Sequence, residues 1–350
     1  MIIGACGFGS TGSSAVCDYI LEFGEAQVLD KIEFTWASGV DGLVDLEYHL
    51  MHPHGRTKDS IVAIQRFKKR AKESLREYRK YGGIPENVFM DSVDRFIESI
   101  TQVKWEWYDN ENLSAFGKYF GKYIMQNRVI PRIEKKKGHQ VKCYPMEQVN
   151  LSVLPENFYE AAKVHVRELL AAMGADFTRP IILDQPFAGN NPQACFPFFD
   201  DPYAFVVDRD PRDNYVFSKT RLLGRNHFMA VDNVEDFIKY YKAIRVNQPY
   251  REPCDRVLPL QFEEMVYDYD VATKKIRDFL HLPANPNPKS IFDPSMSIAN
   301  TQTFKRFPQY ADDIKRIEDE LPEFLFDFSK YPEPDLSGEM FFGRSPKNKG

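Results

Sequence analysis

The chain has 350 residues, 43% of them apolar and 28% charged, with a formal net charge of −5. Such a length buries a large core and suits one big α/β domain with insertions or two smaller domains, and these ordinary fractions exclude wholesale disorder. The acidic balance argues against a general nucleic-acid binder, no apolar run reaches the about 20 residues that cross a bilayer, and five cysteines without C-x-x-C spacing read as reduced thiols.

In chain order, Met1-Ile2-Ile3-Gly4-Ala5-Cys6 reads as a short buried strand. It starts so early that a charged and apolar leader finds no room, which with the reduced thiols predicts a cytoplasmic protein. Gly7-Phe8-Gly9-Ser10-Thr11-Gly12-Ser13-Ser14 follows at once, and Ala15 to Phe23 reads as a helix. Laid on the triphosphate-loop pattern G-x-x-x-x-G-K-[ST], Gly7, Gly12 and Ser14 fit, while Ser13 stands where the lysine belongs. That lysine is the charge that reaches the β and γ phosphates. A loop that keeps the backbone pattern without the charge suits a ligand less anionic at its far end than ATP. Its successive N–H groups, entering a helix near Ser13, form an anion nest, and the hydroxyls of Ser10, Thr11, Ser13 and Ser14 add neutral donors. The bland alternative is a tight strand-to-helix turn.

Lys31 to Thr35 is expected to form the second strand, with a turn at Gly39-Val40-Asp41-Gly42. From Leu43 to Met173 the pattern is mostly helical. Two basic runs, Phe67 to Tyr81 and Arg132 to Lys142, are either solvated faces or a rim that attracts an acidic acceptor. Trp105, Trp107 and Tyr108, interleaved with polar residues, belong to the core or stack on sugar faces. Strand signals return at Pro180 to Asp184, Tyr203 to Val207 and Arg256 to Phe262, the last with an internal proline that favours an edge or bent strand. Helical patterns at Arg212 to Leu223, Val234 to Asn247 and Ala272 to Leu282 separate or follow them. This alternation predicts an α/β, three-layer P-loop-type fold: a central, mostly parallel sheet covered on both faces. Ligands in such sheets sit beyond the carboxyl ends of the strands, so the loops after Cys6, Leu183 and Val207 are expected to share one rim.

In Asp208-Arg209-Asp210-Pro211-Arg212-Asp213, Asp210 fits a helix cap and Pro211 the first helical position. Arg209 just before the cap either holds a phosphate with its fork or pins the helix to the sheet. Ser218 lies about two turns further on.

The first loop together with Val206-Val207-Asp208-Arg209-Asp210-Pro211-Arg212-Asp213 resembles the sulfotransferases that use 3′-phosphoadenosine 5′-phosphosulfate (PAPS). In that family the first loop reads like Gly-Phe-Pro-Arg/Lys-Ser-Gly-Thr-Thr and holds the 5′-phosphosulfate. The Arg-Asp-Pro-Arg-Asp motif and a later serine hold the 3′-phosphate. Pro259-Leu260-Gln261-Phe262-Glu263-Glu264-Met265 looks like the family's late strand, and Asn300-Thr301-Gln302-Thr303-Phe304-Lys305-Arg306 resembles the basic segment that closes over the nucleotide. The resemblance implies a PAPS site made of Gly9, Ser10, Thr11, Gly12, Ser13, Ser14, Arg209, Ser218, Lys305 and Arg306, with no metal required. It spans most of a single domain, residues 1–350, and leaves 43–177 as a mainly helical acceptor-side insertion. Two departures stand out. Ser10 replaces the family's basic residue, so the charge on the leaving phosphate must come from elsewhere, with Lys305, Arg306 or Arg56 as sources. The family serine falls at Phe217, and the hydroxyl arrives one residue late at Ser218, about 100° further round the helix.

The transferred sulfuryl group carries one charge fewer than a γ-phosphoryl group, in keeping with the absent lysine. Catalysis then needs in-line positioning, donors to the equatorial oxygens and a base for the acceptor hydroxyl. Candidates for the base are Asp184, at the end of a central strand, and His52 and His54, whose imidazoles titrate near neutrality. Gln185, Asn190 with its neighbour Asn191, and His227 are candidates for acceptor contacts. The acceptor is read as a hydroxyl of a saccharide or glycan precursor, or else of a lipid or steroid. A P-loop small-molecule kinase and a non-catalytic nucleotide-binding protein remain as alternatives.

Overall fold

The computed structural model describes residues 1–29, 32–52, 58–107, 125–136, 147–221, 229–246 and 255–334. Strand β1 (Ile2–Gly7) is buried along nearly its whole length, as a strand covered on both faces must be. Helix α1 (Ser14–Leu21) follows the glycine-rich loop, then β2 (Gln27–Leu29). Next come α2 (Leu43–Met51), α3 (Asp59–Lys80) and α4 (Glu86–Ile100), the strands β3 (Val103–Trp107) and β4 (Glu147–Leu151) with a short helix at Ile130–Lys136 between them, and α5 (Phe158–Ala172). The second half brings β5 (Ile181–Asp184), β6 (Pro202–Asp208), α6 (Pro211–Arg221), α7 (Val234–Ala243), β7 (Val257–Gln261), α8 (Phe262–Tyr267), α9 (Tyr269–Leu280) and α10 (Ala311–Glu320).

β1 pairs in parallel with β5 on one side and β6 on the other; β2 extends the sheet beyond β5 and β7 beyond β6. The resulting five-stranded parallel sheet has the order β2-β5-β1-β6-β7, flanked by helices as the alternating pattern predicts. The strand that contains Pro259 lies at the edge, where a missing N–H need not break a ladder. Alternation along β1 divides the core. Ile2 and Cys6 face a layer made of Trp36 from the turn before α2, Phe67 of α3, Phe89 and Phe96 of α4 and Phe158 of α5, whereas Ile3 and Ala5 face α1, α8 and α9. A third cluster joins α6, α7 and α10 through Tyr215, Phe237, Tyr241 and Ile317. No helix among the described residues is long and apolar enough to cross a membrane.

Three expectations need correction. The second strand is Gln27–Leu29, not Lys31–Thr35; Phe34 and Trp36 are apolar because they are wholly buried beneath the helices, and Thr35 already lies in a turn. The region read as mostly helical also contains the antiparallel pair β3–β4, in which Trp105 sits opposite Val149. The basic face of α3 is only partly a solvated rim. Arg70 donates to the carbonyls of Thr35, Gly39 and Val40 and covers the Trp36 ring at 5.1 Å, so it clips a turn; Lys68 donates to Asn150 at 3.1 Å.

Candidate functional site

Because β5, β1 and β6 are adjacent and parallel, the segments after them share one rim of the sheet. The loop after β1 turns through left-handed backbone at Gly9 (φ +84°), Ser10 (φ +54°) and Gly12 (φ +88°). At Gly12 a side chain would be strained, and its Cβ would lie 2.4 Å from the Phe262 ring. The Phe8 N–H donates to Thr11 Oγ1 at 3.3 Å, closing the turn from within. From the β6 side, Asn214 Nδ2 donates to the Gly9 carbonyl at 3.0 Å and Arg209 Nη1 to the Ser10 carbonyl at 3.2 Å. With these carbonyls held on the α6 side, the amides of Ser10, Thr11, Gly12 and Ser13 donate to no group among the described residues. A run of unused N–H groups at the entrance of a helix fits an anion such as a phosphosulfate.

Arg209 is the point where three distant segments meet. Its second terminal nitrogen donates to the Asn300 carbonyl, and the rings of Phe217 and Phe262 lie 5.6 and 5.5 Å from its guanidinium. The fork that the resemblance assigns to a 3′-phosphate is therefore engaged with two backbone carbonyls; its buried Nε–H has no partner among the described residues. Phe217, standing where the family places its serine, covers the arginine. Ser218 turns away from this cluster, as the one-residue offset requires, and its buried hydroxyl donates to Met229 Sδ at 3.0 Å. Lys305 pairs with Glu333, and Arg306 Nη2 donates to the Ala299 carbonyl at 3.3 Å. Among the described residues these bonds lead away from the loop.

The segment that bears these two residues is nonetheless anchored at the site. Asp213, fully buried in α6, accepts from the Gln302 N–H (2.7 Å), the Thr303 hydroxyl (2.8 Å) and the Phe304 N–H (3.1 Å). Asp210 caps α6 through the Arg212 N–H at 2.9 Å and pairs with the Arg212 guanidinium at 2.7 Å. Buried Glu263 accepts from the Asp210 N–H at 3.1 Å. Burial pushes the carboxyls of Asp213 and Glu263 above their ordinary range, against the pull of Arg209. Arg245, also buried, forks onto Asp208 at 2.9 and 2.7 Å and lies 4.1 Å from the Phe8 ring, bracing the loop from a further side.

On the β5 side, Asp184 ends its strand in register with Ala5 of β1. Burial, and secondly the Glu33 carboxylate, push its pKa up from 3.8 to about 6. Gln185 has φ +53° and is bonded to the loop, not turned to an acceptor: its Oε1 accepts from the Gly7 N–H at 3.2 Å and its Nε2 donates to Ser13 Oγ at 3.1 Å. Asn190 lies in the turn beyond, beside Gly189, whose Cβ position lies 2.7 Å from the Gly7 carbonyl. His52 sits at the end of α2, 59% exposed and 3.5 Å from Glu47. His54, Arg56 and His227 lie outside the described residues.

Sequence reasoning missed Asn214, the Asn300 carbonyl and the cluster of Asp213 and Glu263. The acids were visible within the quoted motifs; nothing in their spacing indicates that they receive the segment at 302–304. The double clamp by Gln185 had no sequence signal beyond its place after a strand.

No family model matches the chain, and no curated protein matches it. Among solved structures, the sulfotransferase domain of the Synechococcus PCC 7002 olefin synthase aligns over 81% of this chain and 74% of its own, at 12% identity and a TM-score of 0.33. Sulfotransferase STF9 from Mycobacterium avium aligns over 95% and 77%, at 11% identity and 0.34. The sulfotransferase domain from the curacin biosynthetic pathway aligns over 69% and 83%, at 13% identity and 0.25. At these scores the alignments carry no weight in assigning an activity.

Proposed function

We propose that the chain is a sulfotransferase that moves a sulfuryl group from PAPS to a hydroxyl, in the first instance of a saccharide or glycan precursor. The observation that carries this reading is the meeting of the two sequence motifs, with Arg209 bonded to the carbonyl of Ser10 across 199 positions. PAPS supplies an already activated sulfuryl group, so the protein needs to position it and to remove a proton from the acceptor. The amides of Ser10 to Ser13 bind the 5′-phosphosulfate. Arg209 and Asn214 keep the carbonyls of Ser10 and Gly9 turned away from that anion, and Arg209 brings positive charge, with the Nε–H, to the side assigned to the 3′-phosphate. Asp184 is the general base: a carboxyl with a pKa of about 6 is ionised at neutral pH and more basic than an ordinary one. The segment 43–177 is assigned to the acceptor. The glycan preference rests on aromatic content alone, and a lipid or steroid hydroxyl stands as the other acceptor class.

The test is incubation with PAPS and a mixed library of hydroxylated compounds, read by mass spectrometry. A gain of SO₃ on one compound is expected. Calorimetry is expected to give binding of 3′-phosphoadenosine 5′-phosphate without magnesium, tighter than that of ATP. Preference for ATP with magnesium would overturn the assignment, and tight nucleotide binding with no transfer to any acceptor would reduce the chain to a binding protein.

A further inference from the structure

We infer that Gln185 and Ser13 form a neutral hydrogen-bond relay that gives a bound anion the donor which a lysine supplies in triphosphate loops. The inference rests on the donor-binding role proposed for the loop and adds to it a positioning residue that acts through Ser13. The Gly7 N–H can only donate, so the oxygen half of the Gln185 carboxamide must face it, at 3.2 Å. The NH₂ half is thereby turned to Ser13 Oγ, at 3.1 Å. Ser13 stands at the lysine position of the pattern, immediately before α1, and makes no side-chain capping bond to the helix. With its oxygen accepting from Gln185, the hydroxyl keeps its hydrogen for a group lying on the amides of Ser10 to Ser13.

The backbone of Gln185 is held in the arrangement that aims this side chain. Its φ of +53° is uncommon for a non-glycine residue, and its N–H is bonded to the Ala5 carbonyl at 3.0 Å. The carboxamide therefore spans the two ends of the loop, Gly7 and Ser13, from a strand that is itself paired with β1. A relay without charge discriminates between anions. It offers a full hydrogen bond to a singly charged sulfuryl oxygen and withholds the Coulomb attraction that a more highly charged γ-phosphate draws from lysine.

Gln185→Glu separates this role from simple scaffolding. The carboxylate still accepts from the Gly7 N–H, but it cannot donate, so the Ser13 hydroxyl turns toward it and away from the ligand. A protonated glutamic acid donates again. Affinity for 3′-phosphoadenosine 5′-phosphate, measured by magnesium-free calorimetry, is expected to fall at least about tenfold at pH 8 and to recover as the pH falls through the new carboxyl's titration. The wild type, measured in parallel, accounts for the other charged groups around the loop: Asp184 and Glu33 beside β5, Arg209 and Asp213 at α6, Glu263 in α8, and Arg245 with Asp208 against Phe8. In a Ser13→Ala background only the part of the recovery that comes from relieving charge repulsion between the carboxylate and the anion is expected to remain, so the recovery shrinks. Should Gln185→Glu fail to fold, Gln185→Met is expected to give a smaller loss that follows the wild type's own pH dependence.

Nucleotide affinity unchanged at pH 8 in these variants, or acid recovery undiminished by Ser13→Ala, overturns the relay and leaves the proposed function standing. Inorganic pyrophosphate serves as a second probe. If the wild type binds it with the same variant pattern but does not bind the nucleotide, the relay holds and the nucleotide donor is refuted. If the wild type binds neither, both fall.

Discussion

Replacing Asp184 with asparagine is expected to make the protein more stable and less active at once. Burial at the end of β5 raises the folded-state pKa from 3.8 to about 6, so the folded protein holds this proton more tightly than the unfolded chain does. Between about pH 4 and pH 6 the folded state binds more protons, and stability from this group falls as pH rises through that window. At about 1.4 kcal/mol per pH unit, the ionised carboxylate costs the fold at most about 3 kcal/mol above pH 6, and partial solvent contact reduces this to about 1–2 kcal/mol. Asparagine keeps the shape without the charge. Urea denaturation at pH 8 should therefore show a gain of about 1–2 kcal/mol, with most of it gone by about pH 4. Turnover should fall about 100-fold to 10,000-fold, the range for a lost general base, with affinity for 3′-phosphoadenosine 5′-phosphate retained. In the wild type, kcat/KM should rise with pH through an inflection near 6, and that inflection should be missing from the residual activity of Asp184→Asn. A variant that keeps full turnover, or that is less stable than the wild type at pH 8, would refute the role and the burial argument respectively.

Arg209→Ala removes two bonds to carbonyls and the charge between two rings, so a stability loss of about 2–4 kcal/mol is expected in urea; a loss under about 1 kcal/mol would contradict the three-way junction. The same change should weaken 3′-phosphoadenosine 5′-phosphate more than AMP, and equal losses would remove the 3′-phosphate from that side. Gly12→Ala places a Cβ at φ +88° against Phe262, which should cost about 1–2 kcal/mol or more and abolish nucleotide binding; normal affinity would refute a cradle of fixed shape. Ser218→Ala should leave nucleotide affinity within about twofold, because the hydroxyl serves Met229, and a loss of about tenfold would restore Ser218 to the site.

The central strands were legible because parallel strands covered on both faces need short, continuous apolar runs, and Pro180 to Asp184 and Tyr203 to Val207 have little else. β2 was misplaced for the complementary reason. An edge strand of three residues, Gln27-Val28-Leu29, carries too little apolar signal, while Phe34 and Trp36 draw the eye for a burial that helices provide. The β3–β4 ladder joins segments about 40 positions apart, though the alternation Val103-Lys104-Trp105-Glu106-Trp107 carried a period of two that could have found the first. At the site, the loop glycines and the Asp-Pro helix start were visible as local chemistry. What Arg209 grips was not, since a carbonyl 91 positions away has no residue type to betray it. The one-residue offset at Phe217 was visible too, yet Ser218 was still counted in the nucleotide site, whereas its hydroxyl donates to Met229.

The junction at Arg209 also bears on the order in which the molecule is assembled. Its partners come from near residue 10 and near residue 300, so its closure has a high contact order and must wait for most of the polypeptide to leave the ribosome. Until the Asn300 segment arrives, a nascent chain carries an arginine with half its carbonyl acceptors missing. Ligand competence should accordingly emerge late in synthesis, after the parallel sheet has formed, as a property of the finished protein and not of its first half.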